Sequence, residues 1–321
     1  MTGYSVAIRT LGSNPEVLHK ELESIARQSV APDKVVIYIA RGYQRPSFNV
    51  MGEEYVETEK GMVSQRAVDY HEITTPLILL LDDDVELASD SAEILMSQLA
   101  MHNADCIAAD TFANHKMTVK SKIKAALTSL VFPRFNQKWA FRLHSNGSFS
   151  YINNPRNDCY PSQSAAGPAA LWRKESLLNL DFDAERWLDR LGFAYGDDDL
   201  EFFKLHVNGG RLMVSFNSKV RNMDAKTASA DFQHLEKKFY VRAFSNHVRW
   251  HRMQFTTRTG LSRAAATLSY MLKQMWLIGV NSAFSIAVRR ISPARLYIKG
   301  LYDGMLYTKS AYYRSLPSYK I

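Results

Sequence analysis

The stretch Leu77-Ile78-Leu79-Leu80-Leu81-Asp82-Asp83-Asp84-Val85-Glu86-Leu87 constrains this chain more than any other. An apolar run of strand length without polar alternation is expected where both faces of a sheet are covered. Ligands of such sheets gather at the carboxyl ends of the strands. At that end stand Asp82, Asp83 and Asp84. Side chains alternate across a strand end, which predicts Asp82 and Asp84 on one side and Asp83 pointing elsewhere. Two carboxylates on one side make half of a site for a hard cation, Mg²⁺ or Mn²⁺, and leave positions for phosphate oxygens. A solvated acidic turn capping the next helix is the other reading. Mutual repulsion of three carboxylates against an apolar strand favours the site.

Around this strand, helices and strands alternate. Ser5 to Arg9 reads as a strand ending in a Thr-Leu-Gly-Ser-Asn turn. Pro15 to Gln28 places Val17, Leu18, Leu22 and Ile25 at helical spacing, with Asn14 as the cap. Lys34 to Ala40 is an apolar strand, Gly61 to His71 and Ala88 to Met101 read as helices, and Asp105 to Ala109 as a short strand. Residues 112 to 165 hold a basic helix-like piece, Lys116 to Leu130, then a polar aromatic stretch of the kind inserted over active sites. Gly167-Pro168-Ala169 leads to Trp172, Tyr195 to Asn208 turns into a helix through Leu200, Phe203 and Val207, and Leu212 to Phe216 is a closing strand. The expected fold is α/β, a Rossmann-type domain with a mixed, mostly parallel sheet, over residues 1–230.

Charge divides the chain differently from hydrophobicity. Residues 1–200 carry 20 Lys+Arg against 27 Asp+Glu, and residues 201–321 carry 20 against 5. A strongly basic second half faces something anionic: phospholipid, a phosphorylated acceptor or nucleic acid. Residues 231–321 read as a basic helical extension. Thr267 to Val288 is apolar but broken by Lys273, Gln274 and Asn281, so its uninterrupted part falls short of the about 20 residues of a membrane span. An amphipathic helix lying on a bilayer, flanked by Arg289, Arg290, Arg295 and Lys299, is one reading; a helix packing on the first domain or making a homo-oligomer is the other. The opening MTGYSVAIRTLG has neither a basic leader nor a long apolar run, which predicts a cytoplasmic protein. Cys106 and Cys159 match no metal-ligand spacing and read as buried thiols.

A second acidic cluster, Asp197-Asp198-Asp199, opens a helix. There the helix dipole alone would favour acids, so a plain cap and a functional site stay open from these residues by themselves. Taken together, LLLDDDVEL and GDDDLEFF resemble the family 2 glycosyltransferases of the nucleotide-diphospho-sugar transferase (GT-A) fold, over roughly residues 4 to 225. The resemblance implies that Asp82 and Asp84 are the Asp-x-Asp pair, the first helping to hold the nucleoside and the second binding the metal. It implies that Asp198 is the general base, that Asp197 orients the acceptor, and that Thr10 lies near the nucleoside. KGMVSQRAVDY is similar to the family's Gly-x-x-x-x-Arg helix, which implies that Lys60, Gly61 and Arg66 lie near the base or diphosphate. Asp224 is the candidate further metal ligand.

Gly167 and Trp172 fit an acceptor side, where glycine admits a sugar ring and an aromatic face stacks on it; a turn beside a core Trp fits equally. Ile39-Ala40-Arg41-Gly42 departs from the family, which usually ends this strand in acids that read the nucleobase. Arg41 or Glu57 is left for that task. The expected activity is inverting, metal-dependent sugar transfer from a nucleotide sugar, UDP-linked by expectation, to a glycan or lipid-linked acceptor. Two other classes fit the sequence less well. A sugar nucleotidyltransferase would need a Gly-rich basic loop, and RTLGSNPEVL has one Gly and no Lys. A nucleic-acid binder would leave both acid clusters without purpose, so no nucleic-acid partner is expected.

Overall fold

The computed structural model describes residues 3–111, 123, 126–130, 138–152, 155–192, 195–223 and 232–319. The N-terminal half builds the expected alternation: β1 (Tyr4–Thr10), α1 (Pro15–Ala26), β2 (Lys34–Ala40), β3 (Glu54–Thr58), β4 (Leu77–Asp82), β5 (Val85–Leu87), α2 (Ser91–Met101) and β6 (Cys106–Ala109). Then follow β7 (Phe141–Leu143), β8 (Phe149–Tyr151), β9 (Cys159–Pro161), β10 (Ala169–Arg173), α3 (Lys174–Leu178), α4 (Asp197–Val207), β11 (Leu212–Ser215) and β12 (Val220–Asn222). Helices α5 (Phe232–Trp250), α6 (Gly260–Ala287), α7 (Ser292–Tyr307) and α8 (Ala311–Ser315) complete the chain.

Eight strands form one sheet in the order β3-β2-β1-β4-β10-β6-β11-β9. Strands β10 and β9 run against their neighbours and the rest are parallel, so the sheet is mixed and mostly parallel. Residues of β1, β2 and β4 alternate between two apolar clusters, one on each face, which is why these strands read as continuous apolar runs. One cluster joins Ile8, Leu79 and Leu81 to Leu18, Leu22 and Leu95 of α1 and α2. The other joins Tyr38, Leu80 and Trp172 to Phe202, and to Phe244 and Val248 of α5.

The basic C-terminal helices therefore share a core with the sheet. A buried network reinforces the join: Arg252 Nη2 donates to Glu185 Oε1 at 2.6 Å, Tyr319 donates to the same oxygen at 3.1 Å, and Lys204 lies 3.6 Å away. No helix among the described residues is long and apolar enough to cross a membrane. Cys106 and Cys159 are free thiols, the first buried and the second half-buried.

Three local expectations need correction. Residues 61–71 form a single turn: Asp189 caps its first N–H groups, at Val63 and Ser64, the last helical bond is Ala67 N–H to the Val63 carbonyl, and Tyr70 takes a positive φ of 50°. Asn14 stands at the N-cap of α1 without making a side-chain cap bond. The chain leaves β4 at Asp82 and turns, so strand alternation does not extend to Asp83 and Asp84. Most of Lys116 to Leu130 lies outside the described residues, with 126–129 helical.

Candidate functional site

Strand order reverses at β1, which pairs with β2 on one side and β4 on the other. The crevice beyond the carboxyl ends of β1 and β4 is the place where such a sheet holds a ligand. In register there, Arg9 faces Asp82, and Arg9 Nη2 lies 2.5 Å from Asp82 Oδ1. A cleft of about 280 Å³ opens at this point, lined by Thr10, Gly61, Gln65, Arg66 and all three of Asp82, Asp83 and Asp84. Asp83 thus shares the cleft with its neighbours, where it accepts from the Thr10 hydroxyl. Burial pushes the Asp83 carboxyl up, against the Thr10 bond. Beneath it, Glu21 of α1 is fully buried, and burial together with the Asp83 charge holds it well above the usual range.

The second acid cluster reaches the same cleft through Arg66. This guanidinium is buried and contacts Asp198, lies 3.2 Å from Asp197 and 2.8 Å from Glu201, and comes within 4.0 Å of Asp82. Acids 115 residues apart, Asp82 and Asp197, therefore meet around one side chain. Gly167 completes the arrangement. Its N–H donates to Asp198 Oδ2 at 3.1 Å, while Pro168 carbonyl accepts from the Asp82 N–H at 2.9 Å. A Cβ at position 167 would fall on the Asp198 carboxyl, so only glycine allows this approach.

Electrostatics separate the two neighbouring acids. Burial alone would raise Asp198, yet Arg66, Arg9 and the Gly167 N–H together hold it below the usual carboxylate range. For Asp197, burial and the Asp198 charge prevail over Arg66 and push the carboxyl up to about 6. Asp199 turns the other way and pairs with Arg249 of α5. Gly196 makes room for that guanidinium, with φ of +82° and no space for a Cβ.

Not every expected residue joins the site. Trp172 is fully buried in β10 and stacks on Phe202 at 5.4 Å, so its ring faces the core and cannot meet an acceptor sugar. Asp224 lies outside the described residues; the last residue described before it, Met223, donates its N–H to the Asp84 carbonyl at 2.7 Å. Lys60 is exposed and donates to Tyr43 rather than lining the cleft. Glu57, on β3, is also exposed, 3.9 Å from Arg45. Arg9, Glu21, Glu201 and Arg249 went unnoticed in the sequence. For Arg9 a signal existed, a lone charge inside an apolar strand.

As a metal site the donor set fits a hard cation that takes one or two carboxylates and completes its shell with phosphate oxygens. Among the described residues two guanidiniums, Arg9 and Arg66, face Asp82, Asp83, Asp84, Asp197, Asp198 and Glu201, a set with more acids than bases. Arg9 also keeps Nε and Nη1 buried without a hydrogen-bond partner among the described residues, which suits an anionic ligand. Among those residues, the three acids and histidines close enough to share an ion are Asp69, His71 and Glu72, on the surface and away from the cleft.

No protein-family model and no curated protein sequence matches the chain. Its fold is similar to solved structures of GT-A-like architecture. TarS 1–349 from S. aureus aligns with TM-score 0.56 and 13% identity, covering 94% of this chain and 80% of that one. The same fragment in complex with UDP-GlcNAc aligns with TM-score 0.53 and 12% identity over the same shares. A mannosyltransferase from Pyrobaculum calidifontis, solved with GDP-Man and Mn²⁺, aligns with TM-score 0.48 and 14% identity, over 98% of this chain and 82% of that one.

Proposed function

We propose that this chain is an inverting, metal-dependent glycosyltransferase of the family 2 type, which moves a sugar from a nucleotide-diphosphate donor to a hydroxyl of a glycan or lipid-linked acceptor. The observation that carries the reading is the convergence of Asp82, Asp83 and Asp84 with Asp197 and Asp198 around Arg66, at the switch point of a GT-A-like sheet. The TarS complex holds UDP-GlcNAc, which favours a UDP-sugar as donor.

In this reading the nucleoside lies against Thr10 and the end of β1, and the diphosphate takes the unused guanidinium edge of Arg9. Mn²⁺ or Mg²⁺, held through Asp82 and Asp84 and, by expectation, Asp224, would supply the positive charge that the cleft lacks as the diphosphate departs. Asp198, ionised at neutral pH, takes the proton from the attacking hydroxyl. Gly167 gives the Asp198 carboxyl its room and holds it by an N–H bond. Arg66 holds both clusters at fixed separation and keeps Asp198 charged.

Residues 1–230 carry this chemistry, and the basic helices meet an anionic membrane. In favour of the membrane are Leu268, Met271, Leu272 and Met275, all more than half exposed on α6, with Arg289 and Arg290 exposed just past its C-terminal end. Such an enzyme works at the inner face of the plasma membrane, in surface polysaccharide synthesis. The test of the central claim is a thermal-shift and hydrolysis screen of nucleotide sugars with and without Mn²⁺. Stabilisation by one donor, dependent on metal, is expected. If no donor stabilises the fold under either condition, the proposal fails.

A further inference from the structure

A second chamber, of about 450 Å³, reaches Asp199 at the start of α4, the residue that follows Asp198. It is enclosed by the start of α4, the inner faces of α5 and α6, and the β7–β8 hairpin. Three cations line it: Arg242, Arg249 and Lys273. Among the described lining residues Asp199 is the one carboxylate. Arg249 and Lys273 are each 7% exposed. Arg249 pairs with Asp199 and donates from Nη2 to Asn246 Oδ1 at 2.6 Å, while its Nε has no partner among the described residues. The Lys273 ammonium donates to the Asn146 carbonyl at 3.3 Å, a long bond for a buried charge.

Arg249 is attracted by Asp199 and also by Asp197 and Asp198, whereas Lys273 has no carboxylate partner among the described residues, and burying that ammonium costs free energy. A polyanion in the chamber would recover it. Arginine forks and an ammonium, with the amides of Asn246 and Asn281 beside them, match the several oxygens of a phosphate better than the two of a carboxylate. Position ties the chamber to the chemistry. Asp198 faces Arg66 and Gly167 on the donor side, and the next residue, Asp199, faces Arg249 on the chamber side.

We propose that this chamber binds the phosphate or diphosphate of the acceptor, so that the acceptor is a phosphate-bearing molecule held with its hydroxyl toward Asp198. The inference rests on the glycosyltransferase reading and names its acceptor class. Burial and the neighbouring Arg249 push Lys273 down to about 7, which agrees with an ammonium that lacks its counter-ion. Helix α6 turns Lys273 and Asn281 into the chamber and Met271, Leu272 and Met275 outward. A lipid-linked phosphate could thus enter headgroup first, but a soluble phosphate would find the same partners.

The test is calorimetric titration of the full chain in EDTA, without nucleotide, using inorganic pyrophosphate, farnesyl diphosphate and glucuronate as probes. Arg242→Gln and Lys273→Met should each weaken diphosphate binding by at least about tenfold. Arg242 is exposed at the chamber mouth and its replacement leaves folding intact, whatever Lys273→Met does to the core. Arg242→Lys should restore most of the affinity. Arg242-dependent binding of pyrophosphate alone assigns a soluble phosphate, and of farnesyl diphosphate, with or without pyrophosphate, a lipid headgroup. Equal affinity in wild type and Arg242→Gln, or glucuronate bound as tightly as pyrophosphate, overturns the assignment. Stabilisation of the wild type by nucleotide sugars with Mn²⁺ is read separately, so failure of the donor reading is distinguishable from failure of this one.

Discussion

The proposed base, Asp198, has to be charged before it can take a proton, and Arg66, Arg9 and the Gly167 N–H favour that charge against the cost of burial. Asp198→Asn keeps the shape and removes the basicity. Transfer should fall by about 10²- to 10⁴-fold in kcat, with metal-dependent donor stabilisation retained in a thermal-shift assay. Gly167→Ala should do similar damage for a different reason, since its methyl would occupy the place of the Asp198 carboxyl. Here KM for the acceptor should rise along with the loss in kcat, which separates displacement from loss of the base. Lys273 gives a pH signature. Its folded value of about 7, depressed by burial and by Arg249, compares with about 10.4 for an unfolded lysine. Facing it are Arg249 and Arg242 from α5 and Asp199 from α4. Between those two values the unfolded chain binds more protons than the folded one, so this side chain makes stability rise with pH across the window. Urea midpoints at pH 7 and pH 9 should show wild type gaining roughly 1–3 kcal/mol more than Lys273→Met.

At the scale of elements, what joins the helical region to the sheet is the Glu185 network. Glu185 is fully buried and accepts from Arg252, Tyr319 and the Trp187 indole. Arg252→Met strips its closest cation and leaves Lys204 at 3.6 Å as partial compensation. We expect a loss of roughly 3 kcal/mol, read as a lower urea midpoint, because a buried carboxylate without its partner is costly. Tyr319→Phe should cost less. The partnerships with Arg252 and Tyr319 were not legible in the sequence, since their members sit 67 and 134 residues apart. Strands β2 and β4, covered on both faces, and helix α1, covered on one, were legible almost to the residue. The edge strand β3, Glu-Tyr-Val-Glu-Thr, is half charged and half exposed, and its pairing with β2 decides it. The short strands β7, β8 and β9 are likewise made by their partners. In the site, the acids could be read because they interrupt apolar runs or open a helix. Trp172 misled because an aromatic beside glycine looks alike whether it faces a ligand or the core. Residues 61–71 keep a helical spacing but only one turn of helical bonding, since the chain leaves it after Ala67 and takes a positive φ at Tyr70.

Over the whole molecule, acids concentrate in the half that holds the candidate cleft, and bases in the half that holds the helices; residues 237–321 carry 15 Lys+Arg and one acid, Asp303. That excess would be a poor device for packing alone, because like charges on one surface repel. Set beside exposed Leu268, Met271, Leu272 and Met275, it matches a surface that is apolar beneath and negative above. An interfacial helix of this kind depends on both contributions, so each can be removed alone. Vesicles containing phosphatidylserine should float the protein, and vesicles of phosphatidylcholine should not. Raising salt from 0.1 M toward 1 M, where the screening length falls from about 10 Å to about 3 Å, should release most of the bound protein. Leu272→Asp together with Met275→Asp should abolish flotation at low salt while leaving thermal stability within about 1 kcal/mol, since both side chains already face water. A dimer in solution that the same pair of substitutions dissociates, with no flotation of the wild type, would assign this face to a second copy of the chain instead.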